Sequence, residues 1–341
     1  MSVPPPGALS AYGWSERVLA LFNEIAESAL EPARVIRVER SACVAVFPDG
    51  NERLLHAAPL PVVGDWVSAR GEVVHSILPR WSELTRADPS GGSVQALAAN
   101  IDLILITAPA DRLSPARVER ELALAWESGA QPLVVLTKAD LAAPATEAEL
   151  VQRLVGVDVV ATSSATGQGI QYLRERLRPA RSGALLGPSG AGKSTLANSL
   201  IGTERLATGE VREADHRGRH TTTSRQLISL PGGGVLIDTP GLRSLGLAGD
   251  VAVEAAFPEI EALGGACRFS DCRHQAEPGC AVVAAVEAGE LESDRLTSFR
   301  KLQREAAAEA RRTDPLLRRA ELSVWKARAK SARFNDKRRP R

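Results

Sequence analysis

The sequence predicts a multi-domain protein made of a small N-terminal β-barrel, a central open α/β sheet and a mostly helical C-terminal domain that carries a metal-ligand cluster. Three observations predict it. Short alternating runs with frequent turn signals fill the stretch from Arg34 to Arg86. Continuous apolar runs of about six residues alternate with helical patterns from Ile101 to Ile237, and beyond Asp250 only helical patterns remain, with three cysteines and a histidine among them. A chain of 341 residues accommodates two or three domains of about 100–200 residues each.

At the N-terminus, Trp14, Val18, Leu19, Phe22 and Ile25 recur at helical spacing, so residues 1–32 read as an extension with one helix. Residues 33–90 form the barrel. Its strands are expected at Ala33–Val38, Cys43–Phe47, Arg53–Ala57, Asp65–Ala69 and Val73–Leu78, separated by turns such as Pro48-Asp49-Gly50-Asn51 and Arg70-Gly71. An OB-fold is the commonest barrel at this strand count, and an SH3-like barrel or a sandwich fragment has similar spacing. After Ser90-Gly91-Gly92-Ser93, residues 91–250 form the α/β domain. The runs Ile101–Thr107, Pro132–Leu136, Val157–Ala161, Gly183–Leu186 and Gly234–Ile237 are apolar on both faces, as parallel strands covered by helices must be. Residues 251–325 form the helical domain. The tail, 326–341, is basic, with eight Lys/Arg against Asp336, although the whole chain carries only +1.

The hydrophobic fraction of 44% and charged fraction of 24% are those of a globular protein. There is no apolar run of about 18 residues, and the N-terminus lacks the basic-then-apolar pattern of a secretory signal. A cytoplasmic protein without membrane contact is expected.

The chemistry is carried by short motifs at strand ends. Gly187-Pro188-Ser189-Gly190-Ala191-Gly192-Lys193-Ser194 fits the phosphate-loop pattern G-x-x-x-x-G-K-[ST], follows a strand and, from Thr195 onward, opens a helix. Backbone amides at such a helix start surround phosphate oxygens. Lys193 would reach the β- and γ-phosphates, and Ser194 would ligate Mg²⁺. Asp238-Thr239-Pro240-Gly241 ends another strand, where Asp238 can hold Mg²⁺ through a water and the Gly241 amide can meet the γ-phosphate.

Thr137-Lys138-Ala139-Asp140 has the form [NT]-K-x-D. Its carboxylate accepts from guanine N1–H and the exocyclic amine together, a pair that adenine does not offer, and the Lys138 stem packs over the base. In Ser163-Ser164-Ala165-Thr166-Gly167, the Ala165 amide, next to Ser164, is placed to donate to guanine O6. These base motifs precede the phosphate loop, the reverse of their order in Ras-like chains. Because all of them end strands on one edge of a sheet, a circularly permuted P-loop GTPase domain still assembles one site for GTP or GDP.

The segment Gly218-Arg219-His220-Thr221-Thr222-Thr223 lies between the phosphate loop and Asp238. A switch threonine must reach Mg²⁺ there; Thr223 is favoured and Thr222 is the alternative. His220 is either a group that positions water or a solvated loop histidine. Leu242 occupies the place where many small GTPases carry the glutamine that orients the attacking water, so intrinsic hydrolysis should be slow.

Cys267, Cys272, His274 and Cys280 lie within fourteen residues and offer three thiolates and an imidazole, a set suited to one structural Zn²⁺ in tetrahedral coordination. Cys43 stands alone and reads as a barrel core residue.

With these motifs the chain resembles the RsgA (YjeQ-type) family of small-subunit-dependent GTPases. The resemblance rests on the order T-K-x-D, S-A, phosphate loop, G-R-H-T-T-T and D-T-P-G, on Val63-Gly64-Asp65-Trp66-Val67, and on the Cys-Cys-His-Cys cluster followed by Ala281-Val282. It spans about residues 33–320. It implies an OB-fold, a permuted GTPase domain and a zinc domain. It further implies GTP hydrolysis stimulated by the small ribosomal subunit and a role in late small-subunit maturation. Binding to 16S-type rRNA and a monomeric chain are expected alongside. By motif it implies nucleotide binding at Thr137–Asp140, Gly187–Thr195 and Asp238–Gly241, and zinc at the four Cys/His positions. Arg318, Arg319 and the tail cations, among them Lys326, Arg328, Lys330 and Arg333, are candidates for rRNA phosphate contacts or else a solvated tail. Two other functions fit the motifs: a nucleotide-gated RNA-binding module with negligible hydrolysis, and a permuted GTPase of large-subunit assembly.

Overall fold

The computed structural model describes residues 7–25, 29–87, 94–143, 145–178, 180–203, 225–238 and 250–313. They divide into two compact units, Met1–Leu84 with Ala96–Ser244, and Thr85–Gln95 with Leu245–Arg341.

The first unit begins with helix α1 (Glu16–Ile25), whose buried Val18 and Phe22 follow the expected spacing. Strands β1 (Glu31–Val38), β2 (Cys43–Val46), β3 (Glu52–Leu55), β4 (Trp66–Arg70) and β5 (Val73–Ile77) follow. β1 pairs with both β2 and β4, β2 with β3, and β4 with β5, all antiparallel. A parallel bridge from His56 to Val73 joins the end of β3 to β5 and closes the ring. Alternate residues fill its interior: Ala33, Val35, Cys43, Ala45, Phe47, Leu55, Val67 and Ala69. Cys43 is accordingly a core residue, and burial pushes its thiol up to about 11.

The nucleotide-type sheet is built from β8 (Leu103–Pro109), β9 (Gln131–Thr137), β10 (Val159–Ala161), β11 (Ser182–Leu186), β12 (Gln226–Ser229) and β13 (Val235–Asp238). Its order is β10-β9-β8-β11-β13-β12, parallel except for β12, and all seven residues of β8 are buried. Helices α2 (Pro115–Glu127), α3 (Thr146–Arg153), α4 (Ile170–Arg176) and α5 (Lys193–Ile201) accompany it. On one face, Leu103, Leu105, Leu133, Val135, Leu185 and Leu236 pack with Ile170 and Leu173 of α4 and Leu196 and Leu200 of α5. The period of two sends Ile104, Ile106 and Val134 to the opposite face, the pattern a doubly covered sheet requires.

Barrel and nucleotide-type sheet are continuous, because β1 also pairs antiparallel with β12 at Arg37↔Gln226. The Val63–Val67 motif lies at this junction. The Gly64 φ of +90° belongs to glycine, and a Cβ there would lie 2.2 Å from the Ala99 carbonyl oxygen. Asn100 Nδ2 donates to the Gly64 oxygen at 3.0 Å. Arg34, fully buried, donates through Nη2 to Ser182 Oγ (2.9 Å) and to the Asn100 oxygen (3.3 Å), and its guanidinium stacks 4.6 Å from the Trp66 ring centroid. Asp65, also buried, receives both Nε and Nη2 of Arg80 at 2.8 and 2.7 Å, the two-point geometry that offsets the desolvation of both ions.

Three strands were not expected from the sequence. β6 (Glu83–Ala87) and β7 (Val94–Ala99) pair with each other, and β12 borders β13. The Ser90–Ser93 stretch lies outside the described residues.

In the second unit, α6 (Asp250–Ala256), α7 (Pro258–Gly264), α8 (Ala281–Glu287) and α9 (Ser293–Thr313) carry the expected helical character. Phe257 and Phe299 meet edge to face at 5.4 Å. Arg295, 3% exposed, donates to Glu259 at 2.6 Å and to the Ala256 carbonyl at 3.0 Å while covering the Phe257 ring.

Candidate functional site: a phosphate loop, a base-recognition turn and a Cys/His cluster

β8 lies between β9 and β11, so its neighbours bring the base motif and the phosphate loop to one edge of the sheet. β11 delivers Gly187 through Ser194, and α5 starts at Lys193. The turn out of the strand is fixed by packing: at Gly187, with φ +149°, a Cβ would lie 2.1 Å from Thr107 Oγ1, which itself donates to the Leu186 oxygen at 3.0 Å. Lys193 Nζ donates to the carbonyls of Gly187 (2.7 Å) and Pro188 (2.6 Å), so the ammonium spans the loop it would serve. Ser194 is half-buried in the first turn of α5, with Thr195 exposed beside it.

β9 delivers Thr137 to Asp140. Thr137, buried, donates through Oγ1 to the Ala191 oxygen at 2.8 Å and so joins the base motif to the phosphate loop directly. Lys138 adopts the left-handed conformation (φ +57°), and Ala139 and Asp140 enter a single 3₁₀ turn that leaves Asp140 exposed. The Ala139 amide donates to the Thr162 oxygen, which draws the 163–167 turn alongside. That turn is closed by Gly167 N–H to the Ser163 oxygen (2.9 Å) and Thr166 N–H to Ser163 Oγ (3.2 Å). Among the described residues, the amides of Ser164 and Ala165 have no acceptor. They are therefore available to a base carbonyl.

Asp238 ends β13 beside β11, at the level of the phosphate loop; its backbone is described and its side chain is not. Gly241, His220, Thr222, Thr223 and the tail cations from Arg318 onward lie outside the described residues.

Two residues that contact these motifs were not singled out in the sequence, Asp111 and Arg112. They follow β8 in a 3₁₀ turn, Ala110–Arg112. Lys138 Nζ pairs with Asp111 Oδ2 at 2.8 Å, and the lysine holds that carboxyl below the usual aspartate range. Arg112 Nη2 donates to the Gly190 oxygen at 3.1 Å. The signals are one acid and one base in a loop, and neither type nor spacing distinguishes them from solvated charges.

In the second unit the ligand atoms of Cys267, Cys272, His274 and Cys280 all lie within 4.8 Å of one another. Cys267 Sγ is 3.6 Å from His274 Nδ1 and 3.9 Å from Cys280 Sγ, and Cys280 Sγ is 3.5 Å from His274 Nδ1. A tetrahedron with bonds of about 2.3 Å to sulfur and 2.0 Å to nitrogen has edges of roughly 3.5–3.8 Å, so the four residues fit a zinc ion. The electrostatics differ among the ligands: burial pushes the Cys272 thiol up to about 11, whereas Cys267 and His274 shift towards their metal-binding forms. Burial pushes the Cys267 thiol up, but the Ala281 and Val282 amides at the start of α8 outweigh it and hold the thiol below its ordinary value. Burial also pulls His274 down and favours the neutral imidazole that a metal needs. Arg300 donates to the His274 carbonyl, and the His274 ring lies 6.2 Å from Phe299, so the cluster is fastened to the helical core.

The family model described as RsgA GTPase matches residues 77–248. A protein of Opitutus terrae named small ribosomal subunit biogenesis GTPase RsgA is 45% identical, over 93% of this chain and 95% of its own. One of the same name from Streptomyces coelicolor is 47% identical, over 90% and 89%. The crystal structure of YjeQ from Thermotoga maritima superposes with a TM-score of 0.62 at 25% identity, covering 82% of this chain and 99% of that one. YloQ, described as a circularly permuted GTPase, shares the fold with a TM-score of 0.60 at 22% identity, over 83% and 96%. With its base motif ahead of its phosphate loop on one mixed sheet, the chain belongs to the RsgA GTPase family and is a GTP hydrolase.

Proposed function

We propose that this GTPase binds the small ribosomal subunit and its 16S-type rRNA and acts late in maturation of that subunit, with hydrolysis stimulated by the ribosome. The observation that carries the reading is the T-K-x-D motif joined to the phosphate-loop motif on the same continuous sheet as a closed five-stranded barrel. The names of the relatives, small ribosomal subunit biogenesis GTPases, support the choice of subunit. The pairing circuit β1-β2-β3-β5-β4-β1 supports an OB-fold, a barrel that takes oligonucleotides on its face. The division 1–32, 33–90, 91–250, 251–325 and 326–341 is retained as the functional one, with the tail cations contacting rRNA phosphates. The chain acts in the cytoplasm as a monomer. Among the described residues no helix is long and apolar enough to cross a membrane.

In this reading Asp140 accepts from guanine N1–H and N2–H, the Lys138 stem covers the base, and the Ser164 and Ala165 amides meet O6. The amides from Pro188's successor Ser189 through Thr195 surround the phosphates. Lys193 leaves the Gly187 and Pro188 carbonyls for the β- and γ-phosphates, exchanging two neutral acceptors for charged ones. Ser194 and Asp238 would hold Mg²⁺, which when bound would supply positive charge at the phosphates. Thr223 and His220 belong to the switch that orients the γ-phosphate and water, and Gly241 senses the γ-phosphate. Leu242 cannot orient water, so the subunit completes the site. Cys267, Cys272, His274 and Cys280 hold zinc as a structural ion.

Sedimentation with separated subunits tests the assignment. Co-migration with small subunits in a non-hydrolysable GTP analogue, weakening with salt as phosphate contacts do, is expected. Co-migration with large subunits alone would overturn it.

A further inference from the structure

We propose that Asp111 and Arg112 are positioning residues that strap the base-recognition turn to the phosphate loop, so that the two halves of the nucleotide site hold one spacing. The proposal rests on the nucleotide placement given above.

The two residues are adjacent on one turn at the end of β8, the strand flanked by β9, which carries Thr137–Asp140, and by β11, which leads into Gly187. One side chain is directed to each neighbour. Asp111 Oδ2 takes the Lys138 ammonium at 2.8 Å, and Arg112 Nη2 takes the Gly190 oxygen at 3.1 Å. Arg112 Nε also lies 3.8 Å from Asp111 Oδ1, which joins the two contacts into one unit.

These pairs are about a third to more than half exposed, so they add little to folding stability. Their effect is on direction. A lysine stem that covers a base must be stopped from swinging to solvent, and the Asp111 carboxylate stops it at its far end. The phosphate loop receives the matching constraint. Arg112 holds the Gly190 carbonyl and Thr137 holds the Ala191 carbonyl, both from outside the loop. Because peptide units are planar and trans, fixing those two oxygens fixes the opposed amides of Ala191 and Gly192. The strap therefore preorganises both ends of the site before nucleotide arrives.

The test is the affinity of full-length protein for a fluorescent GDP analogue, measured for Asp111→Asn, Arg112→Gln, the double variant and Arg112→Lys, with Asp140→Asn as a reference. Each single change should weaken binding about fivefold to tenfold. The double variant should lose little more than one of them, since either break releases the turn. Arg112→Lys, which keeps a donor, should recover most of the loss. With GTP, KM should rise by a larger factor than kcat falls, while the melting temperature of nucleotide-free protein stays that of the wild type. Wild-type affinity in both single variants, multiplying losses in the double, or a loss matched by a lower melting temperature would overturn the strap. If Asp140→Asn also left guanine binding intact, the nucleotide placement itself would be wrong. A normal loss in Asp140→Asn with silent strap variants would remove only this inference.

Discussion

At the scale of single residues, Glu121 sits in surroundings at odds with its charge. It lies on α2, 7% exposed, lining a cleft of about 230 Å³ with Arg117, Pro188 and Ser189, and its Oε2 has no partner among the described residues. Burial pushes its carboxyl from 4.5 up to about 7, against the opposing pull of Arg117, Lys193 and Arg120. Between about pH 4.5 and 7 the folded protein therefore binds more protons at this site than the unfolded chain does. Stability falls as pH rises through that window and is level above it. Glu121→Gln keeps the shape and removes the charge. It should be more stable than wild type by on the order of 2–3 kcal/mol at pH 8 and equal to it near pH 4.5. Urea unfolding at both pH values checks this, and an unchanged difference between the two would contradict it. The sequence offered no hint of Glu121, because an acid in an amphipathic helix reads as solvated until the packing is known. The motifs themselves were legible: Thr137 ends β9, Lys193 opens α5 after the loop that follows β11, and Ala165 lies in the turn after β10.

At the scale of elements, α2 (Pro115–Glu127) is a helix that its own sequence explains, since proline opens it and apolar spacing runs through it. β6, β7 and β12 were not legible. β12 is four residues long, Gln226–Ser229, and only Leu227 and Ile228 are buried, so it lacks an alternating run to read. The same strand joins the barrel to the nucleotide sheet, and that junction depends on pairings between residues far apart in the chain, Arg37 with Gln226 and, 148 residues apart, Arg34 with Ser182. Burial lowers Arg34 to about 10 even though Asp102 and Asp65 lie near, so it stays protonated and its hydrogen bonds stay charged. Arg34→Ala should cost roughly 2–4 kcal/mol, through the cavity beside Trp66 and the lost bonds to Ser182 and Asn100. Chemical denaturation reads this, and a change below about 0.5 kcal/mol, usual for surface sites, would refute the junction's role. The Cys/His cluster makes a parallel claim for the helical unit. Purified protein should carry one zinc per chain, and Cys267→Ser should lose the metal and part of the helical circular dichroism together, since ligand binding and folding are coupled. Full zinc content in Cys267→Ser would contradict the ligand set.

At the scale of the whole molecule, the legible part was the sequence of textures and the reversed order of motifs. The latter fixes that Thr137–Asp140 and Gly187–Ser194 meet, whichever comes first, because both end parallel strands of one sheet. The union of barrel and sheet within one compact unit was not legible, since the residues that carry it, Arg37 with Gln226 and Arg34 with Ser182, are distant in the chain and belong to no motif. The consequence is mechanical: β12 and β13, the strand that ends at Asp238, connect the nucleotide site to the barrel through backbone hydrogen bonds. In the function proposed above, partner binding at the barrel would reach the strand that ends at Asp238 through these pairings. The most direct test is GTP turnover by purified protein alone, with isolated small subunits and with isolated large subunits, using Lys193→Ala as the blank. Slow turnover that rises at least tenfold with small subunits only, and disappears in the blank, is the predicted result. Equal turnover in all three mixtures would contradict the account.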